Sequence, residues 1–385
     1  MKLFLQIKES QPVKIVDVIA NNLTIPYPGE FRPAWQPGLA VTSHDFTLVR
    51  IYTDEGITGV GGTSGHLAGI IEKQVKPYLL SANPFATEAL ARIYRNAGSG
   101  IWCLDMALWD IIGKAAGLPL YKLWGYHHDR IPAYASAVEV GTPESRAELA
   151  VHYQKLGFKA MKLRLHNEKI EDDLAILDAC LKATRGKMAF MADANQATNL
   201  PSPEPGVRWD YQRALTMARE LEARGVLWLE EPLPRYDFEN LARLRQSTSI
   251  PIAGGEKNQR LHEFRWLIER RVYDIIQPDP AMSEGISQLR KVAAMAEMFQ
   301  IKVVPHHGMS GIGLAAALHY CCTLPGHSWL EIIYEPTTRT LEAYQMLGGI
   351  LESRIWIDEQ GFVAPPTGSG LGVIINEQAV KQYEV

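Results

Sequence analysis

A chain of 385 residues is longer than one hydrophobic core usually grows, so more than one domain is expected. Apolar residues make up 46% and charged residues 21%, which is ordinary for a soluble globular protein, and a formal net charge of −4 without a basic run gives a nucleic-acid or membrane-surface role no support. Cys103, Cys180, Cys321 and Cys322 lack CxxC spacing and read as buried thiols of a reducing compartment. No apolar run reaches membrane-spanning length, and the N-terminal apolar core is too short for a signal peptide. A cytoplasmic enzyme is the expectation.

Residues 13–20 read as a strand. Residues 21–39 are polar and rich in Pro and Gly, with Tyr27, Phe31 and Trp35 among them. They predict a long loop suited to act as a binding lid. Residues 45–52 and 57–61 flank Asp54-Glu55-Gly56 as a β-hairpin, and helical patterns follow to about residue 125. The run from Leu104 opens as a helix closed by Gly117 and Pro119, with Asp105 and Asp110 as structural rather than catalytic carboxylates.

From Ile131 a strand–helix rhythm begins. Strand 131–138 precedes a helix from Pro143 capped by Thr142. Strand 158–164 carries Lys162 and Arg164, two apart and therefore on one face. Three further runs end in acidic or amide residues. Run 188–192 ends in Asp193-Ala194-Asn195-Gln196, run 226–229 in Glu230-Glu231-Pro232, and run 250–255 in Glu256-Lys257-Asn258. Strands at 273–279, 301–307 and 329–334 follow, bringing Asp279, His306 and Glu331. The polar residues fall one per unit, matching about 31 residues per unit of a parallel (β/α) barrel with its site at the strand C-terminal ends. The loop 196–209, with three prolines, should reach over the mouth. The tail from about 356 should pack back on the first section and add nothing to a closed barrel.

Asp193, Glu230 and Glu256 would converge at the mouth. Three carboxylates held together repel unless a cation sits among them, and an all-oxygen donor set favours Mg²⁺. Glu231 should face away, since adjacent strand residues alternate faces. Lys162 and Arg164 suit an anionic substrate, a small-molecule carboxylate. Asp279 beside His306 would orient the imidazole as a general acid or base, with His307 as its adjacent rival. The assembly suits abstraction of a proton α to a carboxylate, where the developing enediolate needs electrostatic stabilisation.

Taken in order, Lys162-x-Arg164, Asp193-x-Asn195, Glu230-Glu231-Pro232, Gly255-Glu256, Gln277-Pro278-Asp279 with Gly285, Pro305-His306 and Trp329-Leu330-Glu331 resemble the mandelate racemase group of the enolase superfamily. The resemblance implies an α/β fold, a modified TIM barrel of (β/α)7β type with an α+β capping domain. Residues 1–128, completed by about 356–385, would form the cap, and 129–355 the barrel. It implies Mg²⁺ on Asp193, Glu230 and Glu256, a His306–Asp279 dyad and an electrophilic Glu331. Asn195, Lys162, Arg164, His306 and Glu331 would touch the substrate, and the assembly would be homo-oligomeric. Racemases of that group carry Lys-x-Lys, and here Arg164 replaces the second lysine; arginine stays protonated and is a poor base. Dehydration of an aldonate-type sugar acid to a 2-keto-3-deoxy acid is therefore expected. A racemase or epimerase and a silent sugar-acid binder are the alternatives.

Overall fold

The computed structural model describes residues 13–98, 100–198, 200–326 and 328–385. It holds two sheets. The first is antiparallel, in the order β1 (Ile15–Phe31), β2 (Val41–Thr53), β3 (Thr58–Ser64). The helix Cys103–Ala116 covers it and ends at Gly117 in the left-handed conformation that favours glycine.

The predicted lid over 21–39 is largely wrong. β1 runs on through Phe31, pairing Phe31 with Val41 across an irregularity after Pro26. Its prolines are tolerated because β1 is an edge strand, and a missing N–H there breaks no ladder. Only residues 32–40 form a loop, and it is docked already. Ala34 N donates to Val138 O at 3.0 Å, and Gln36 Nε2 donates to Pro201 O at 3.0 Å.

The second sheet is parallel and curls into a barrel. Its strands are β4 (Ile131–Ser136), β5 (Ala160–Arg164), β6 (Ala189–Asp193), β7 (Leu229–Glu230), β8 (Ile252–Gly254), β9 (Ile275–Ile276), β10 (Lys302–Val303) and β11 (Leu330–Ile333). They run β10-β9-β8-β7-β6-β5-β4-β11, and among the described residues no ladder joins β10 to β11. A helix follows each of the first seven strands, whereas β11 leads into a π-helical turn, Leu341–Gln345. That is the (β/α)7β pattern expected.

The main core lies between this sheet and its helices. A smaller plug fills the barrel axis: Tyr134, Ala160, Met191, Trp228, Ala253, Ile275 and Val304, one from each of seven successive strand segments. The charged side chains stand on this plug.

The tail also departs from expectation. β12 (Phe362–Val363) pairs antiparallel with Pro132 and Ile131 of β4. Those two residues overhang the neighbouring strands, whose pairing with β4 begins at Ala133 and Ala135, so their backbone is free to take a partner. Beyond β12 the tail does return to the first section, through bridges Pro119–Gly370 and Leu23–Glu384.

Candidate active site

Strand register sets the site. Arg164 pairs with Asp193 and Asp193 with Glu230, placing three charged side chains on adjacent strand ends. Lys162 Nζ lies 2.8 Å from Glu230 Oε1 and 2.9 Å from Glu331 Oε1, and sits 5.6 Å above the Tyr134 ring of the plug. Arg164 is bonded to Asp193 and donates to Ser136 Oγ at 3.1 Å and Ala137 O at 3.0 Å. Asn195 adopts a left-handed backbone (φ 47°), which asparagine tolerates. Its N–H and Nδ2 donate to the Asp193 carboxylate at 2.8 and 3.0 Å.

Across the mouth, His306 Nδ1 is 2.5 Å from Asp279 Oδ2, and its Nε2 is 3.2 Å from Glu256 Oε2 and 3.8 Å from Glu331 Oε2. Asp279 is fixed by the backbone N–H groups of Ala281, Met282 and Gly308, at 2.6, 3.1 and 2.9 Å. His307 turns away: its Nδ1 donates to Glu331 O at 3.0 Å, and its ring stacks on Tyr344. His306, not His307, therefore faces the site.

The two walls differ electrostatically. Burial disfavours charge on Lys162, but Glu230, Glu331 and Asp193 outweigh it and hold the ammonium well above the usual range. Burial also lowers His306, yet Glu256, Glu331 and Asp279 together raise it to about 10. Glu230 is pushed up to about 7 by burial and by the charges of Asp193, Glu331 and Glu256, with Lys162 opposing. Glu331 is buried too, but Lys162, His306 and Arg164 hold it below the ordinary carboxylate range. An ionised Glu331 accepts hydrogen bonds, so these surroundings give no support to the electrophilic role implied by resemblance.

The expected convergence of Asp193, Glu230 and Glu256 on one point is not the observed arrangement. Among the described residues no three His, Cys, Asp or Glu side chains form a metal-binding cluster. Each carboxylate is drawn to a cation, because a buried carboxylate needs a charge partner. Asp193 meets Arg164, Glu230 meets Lys162, and Glu256 meets Lys257 Nζ at 2.8 Å. The donor chemistry nonetheless fits a hard divalent ion. All three are buried carboxylates at consecutive strand ends, and the charges of Asp193 and Glu256 both disfavour ionisation of Glu230. Glu231 is buried beyond the strand end with Oε2 unpartnered, and the charges it feels most are those of Glu256 and Lys257.

Sequence reading missed the residues that hold these groups. Gln277 Nε2 and Trp228 Nε1 donate to Glu230 Oε2 at 2.8 and 3.1 Å, and His166 Nε2 is 3.0 Å from Asn195 Oδ1. His166 continues the one-face spacing of Lys162 and Arg164, a signal that was available. It also missed much of the wall of a cavity of about 140 Å³ over the site, where Met309, Arg339 and Tyr344, with Trp35 of the expected binding loop, face Arg164, Asn195, Glu256 and His306. Leu200, from the loop 196–209, lines it as well.

The domain family described as Enolase C-terminal domain-like matches residues 145–379, and that described as Mandelate racemase / muconate lactonizing enzyme, N-terminal domain matches residues 29–125. Arabinonate dehydratase of Saccharolobus solfataricus is 29% identical over 365 residues, 90% of this chain and 92% of that one. D-galactonate dehydratase of Verminephrobacter eiseniae is 31% identical, covering 86% and 89%. Among solved structures, a mutant L-talarate/galactarate dehydratase liganded with Mg and L-glucarate has a TM-score of 0.83 at 25% identity, covering 97% of this chain and 93% of that one. With both sections of the chain matched and the barrel in place, the protein belongs to the mandelate racemase group of the enolase superfamily.

Proposed function

We propose that the protein is a Mg²⁺-dependent hydro-lyase that dehydrates a polyhydroxy sugar acid, aldonate-like at its reacting end, to a 2-keto-3-deoxy acid. Relatives named as sugar-acid dehydratases support the reaction class. The observation that carries the reading is the asymmetry of the mouth: Lys162 and Arg164 are locked as cations, while His306 on Asp279 is the proton-exchanging group facing the cavity. We likewise take the chain up to residue 128, with the tail from about 356, as a cap over a 129–355 barrel. The four buried free cysteines support a reducing, cytoplasmic setting.

Asp193, Glu230 and Glu256 would hold Mg²⁺, which when bound offsets the negative charge gathering on the substrate carboxylate. Lys162 and Arg164 keep the site cationic enough to admit that carboxylate. The neutral form of His306, a minority at neutral pH, takes the C2 proton, and the C–H electron pair passes into an enediolate. The same imidazolium then gives its proton to the C3 hydroxyl, the C3–O bond breaks, and water leaves. The enol left behind becomes the keto acid, so one substrate gives one keto acid and one water. Asp279 keeps the ring in place throughout.

A panel of aldonates and related acids, incubated with Mg²⁺ in D₂O, tests this. A 2-keto-3-deoxy acid is expected from at least one member. Deuterium exchange or inversion at C2 without keto acid would favour a racemase.

A further inference from the structure

Among the described residues three arginines are buried: Arg50, Arg164 and Arg339. Arg50 is paired with Glu377 and Arg164 with Asp193. Arg339, 8% exposed, has no carboxylate within ion-pair distance among the described residues. Its guanidinium lies 3.6 Å over the Tyr344 ring and 4.9 Å from the centre of Phe31, and its Nε has no hydrogen-bond partner. The charged and titratable groups that sense it are Tyr27, Tyr344, His44 and His307, all neutral at physiological pH. Yet it lines the same cavity as His306, Arg164 and Asn195.

A guanidinium cannot shed its proton, so a buried one without a counter-ion is costly unless something anionic arrives. Aromatic faces and a hydrogen bond with Tyr27 hold it in place, and no carboxylate occupies its remaining donors, which suit a planar oxyanion. No carboxylate of the set Asp193, Glu230 and Glu256 answers it, so this charge belongs to a different wall from the one that meets the reacting carboxylate.

We infer that Arg339 is the receptor for a second anionic group on the substrate, so that the acid consumed is a diacid of the aldarate type. The inference rests on the sugar-acid reading and narrows it. A carboxylate is favoured over a phosphate ester because the cavity is small, about 140 Å³, and offers one unpaired guanidinium. Arg339 is then a specificity-determining residue that takes no part in the proton transfer.

Two measurements on the full chain with Mg²⁺ test it. The first compares kcat/KM for matched aldarate and aldonate pairs, such as galactarate with galactonate, and adds the 6-phospho monoacid. The wild type should favour the diacid by at least about 30-fold, and Arg339→Met should lose that preference mainly through KM, with Arg339→Lys retaining part of it. Equal use of both acids by the wild type, a preference surviving in Arg339→Met, or a phospho-acid outrunning the diacid would overturn the inference. The second needs neither turnover nor a folded Arg339 variant. Calorimetry of wild-type protein with the succinate-to-adipate dicarboxylates and their monomethyl esters should show one chain length bound at least about tenfold tighter than its ester. If that gap is found and no acid is dehydrated, the reaction assignment falls and the diacid receptor stands. If the gap is missing while monoacids are dehydrated, the receptor falls and the reaction stands.

Discussion

The Lys162–Arg164 wall and the His306–Asp279 wall are built from similar charges but behave oppositely. On the first, every cation is tied to a carboxylate: Lys162 to Glu230 and Glu331, Arg164 to Asp193. On the second, one imidazole is shared among Asp279, Glu256 and Glu331, and its outer nitrogen borders the cavity. A cation fixed by several short contacts supplies field; one balanced between acceptors can supply a proton. The distinction lies in geometry and access: the Lys162 side chain is fully buried, whereas that of His306 keeps 12% exposure.

The largest effect is expected at the carboxylates. Chelation, or Glu230→Gln, should reduce activity by about 10³-fold or more, and Mg²⁺ add-back should restore the wild type alone. Full activity of the metal-free protein would remove the metal from the account. Next, His306→Asn should lower kcat by at least about 10²-fold with little change in KM. His307→Asn, which gives up a hydrogen bond to Glu331 O and a stack on the Tyr344 ring, should cost about 1–2 kcal/mol of stability and leave turnover near wild type. The reverse ranking of the two histidines would place His307, not His306, in the mouth.

Lys162→Met sharpens the other side. It strands Glu230 and Glu331 without their ammonium, and about 3 kcal/mol of stability should go with it, read as a fall in the denaturant midpoint. The surviving activity should keep the pH profile of the wild type, because Lys162 moves no proton; a displaced profile would make it a base. The smallest effect belongs to Glu231→Gln. Burial and the charge of Glu256 push that carboxyl well above its usual range, so glutamine resembles its resting form. Metal affinity, measured by titration, should stay within about threefold of wild type.

Much of this site was legible because strand periodicity and register are local. Lys162 and Arg164 sit two apart, and Asp193, Glu230 and Glu256 each close a short apolar run, so their neighbourhood follows from chain order. What was not legible comes from pairing partners distant in sequence. β1 continues past Pro26 and Pro28 only because β2 lies beside it. β12 forms only because β4 overhangs its neighbours. Arg339 and Tyr344 come from the turn and π-helical segment after β11, which has no repeat to phase it, and the tertiary fold alone brings them to the mouth. The resting partners of the carboxylates were also hidden, because a chain shows which charges are near one strand end but not which two will bond.

One contact governs how the mouth is reached. Asp105, in the helix over the first sheet, accepts from Tyr94 Oη at 2.7 Å, Ser287 Oγ at 2.6 Å and Ser287 N at 2.9 Å, a link across 182 residues to the barrel helix Gly285–Met298. A Cβ on Gly285 would come within 2.7 Å of Asp105, so the two helices meet at closest approach. This rivet ties the first section of the chain to the barrel and opposes a clamshell movement between them. Traffic in and out then falls to residues 32–40 and 196–209, which meet through Gln36 and Pro201 and through Pro37 and Glu204. Entry resembles a latch lifting at one edge rather than jaws parting.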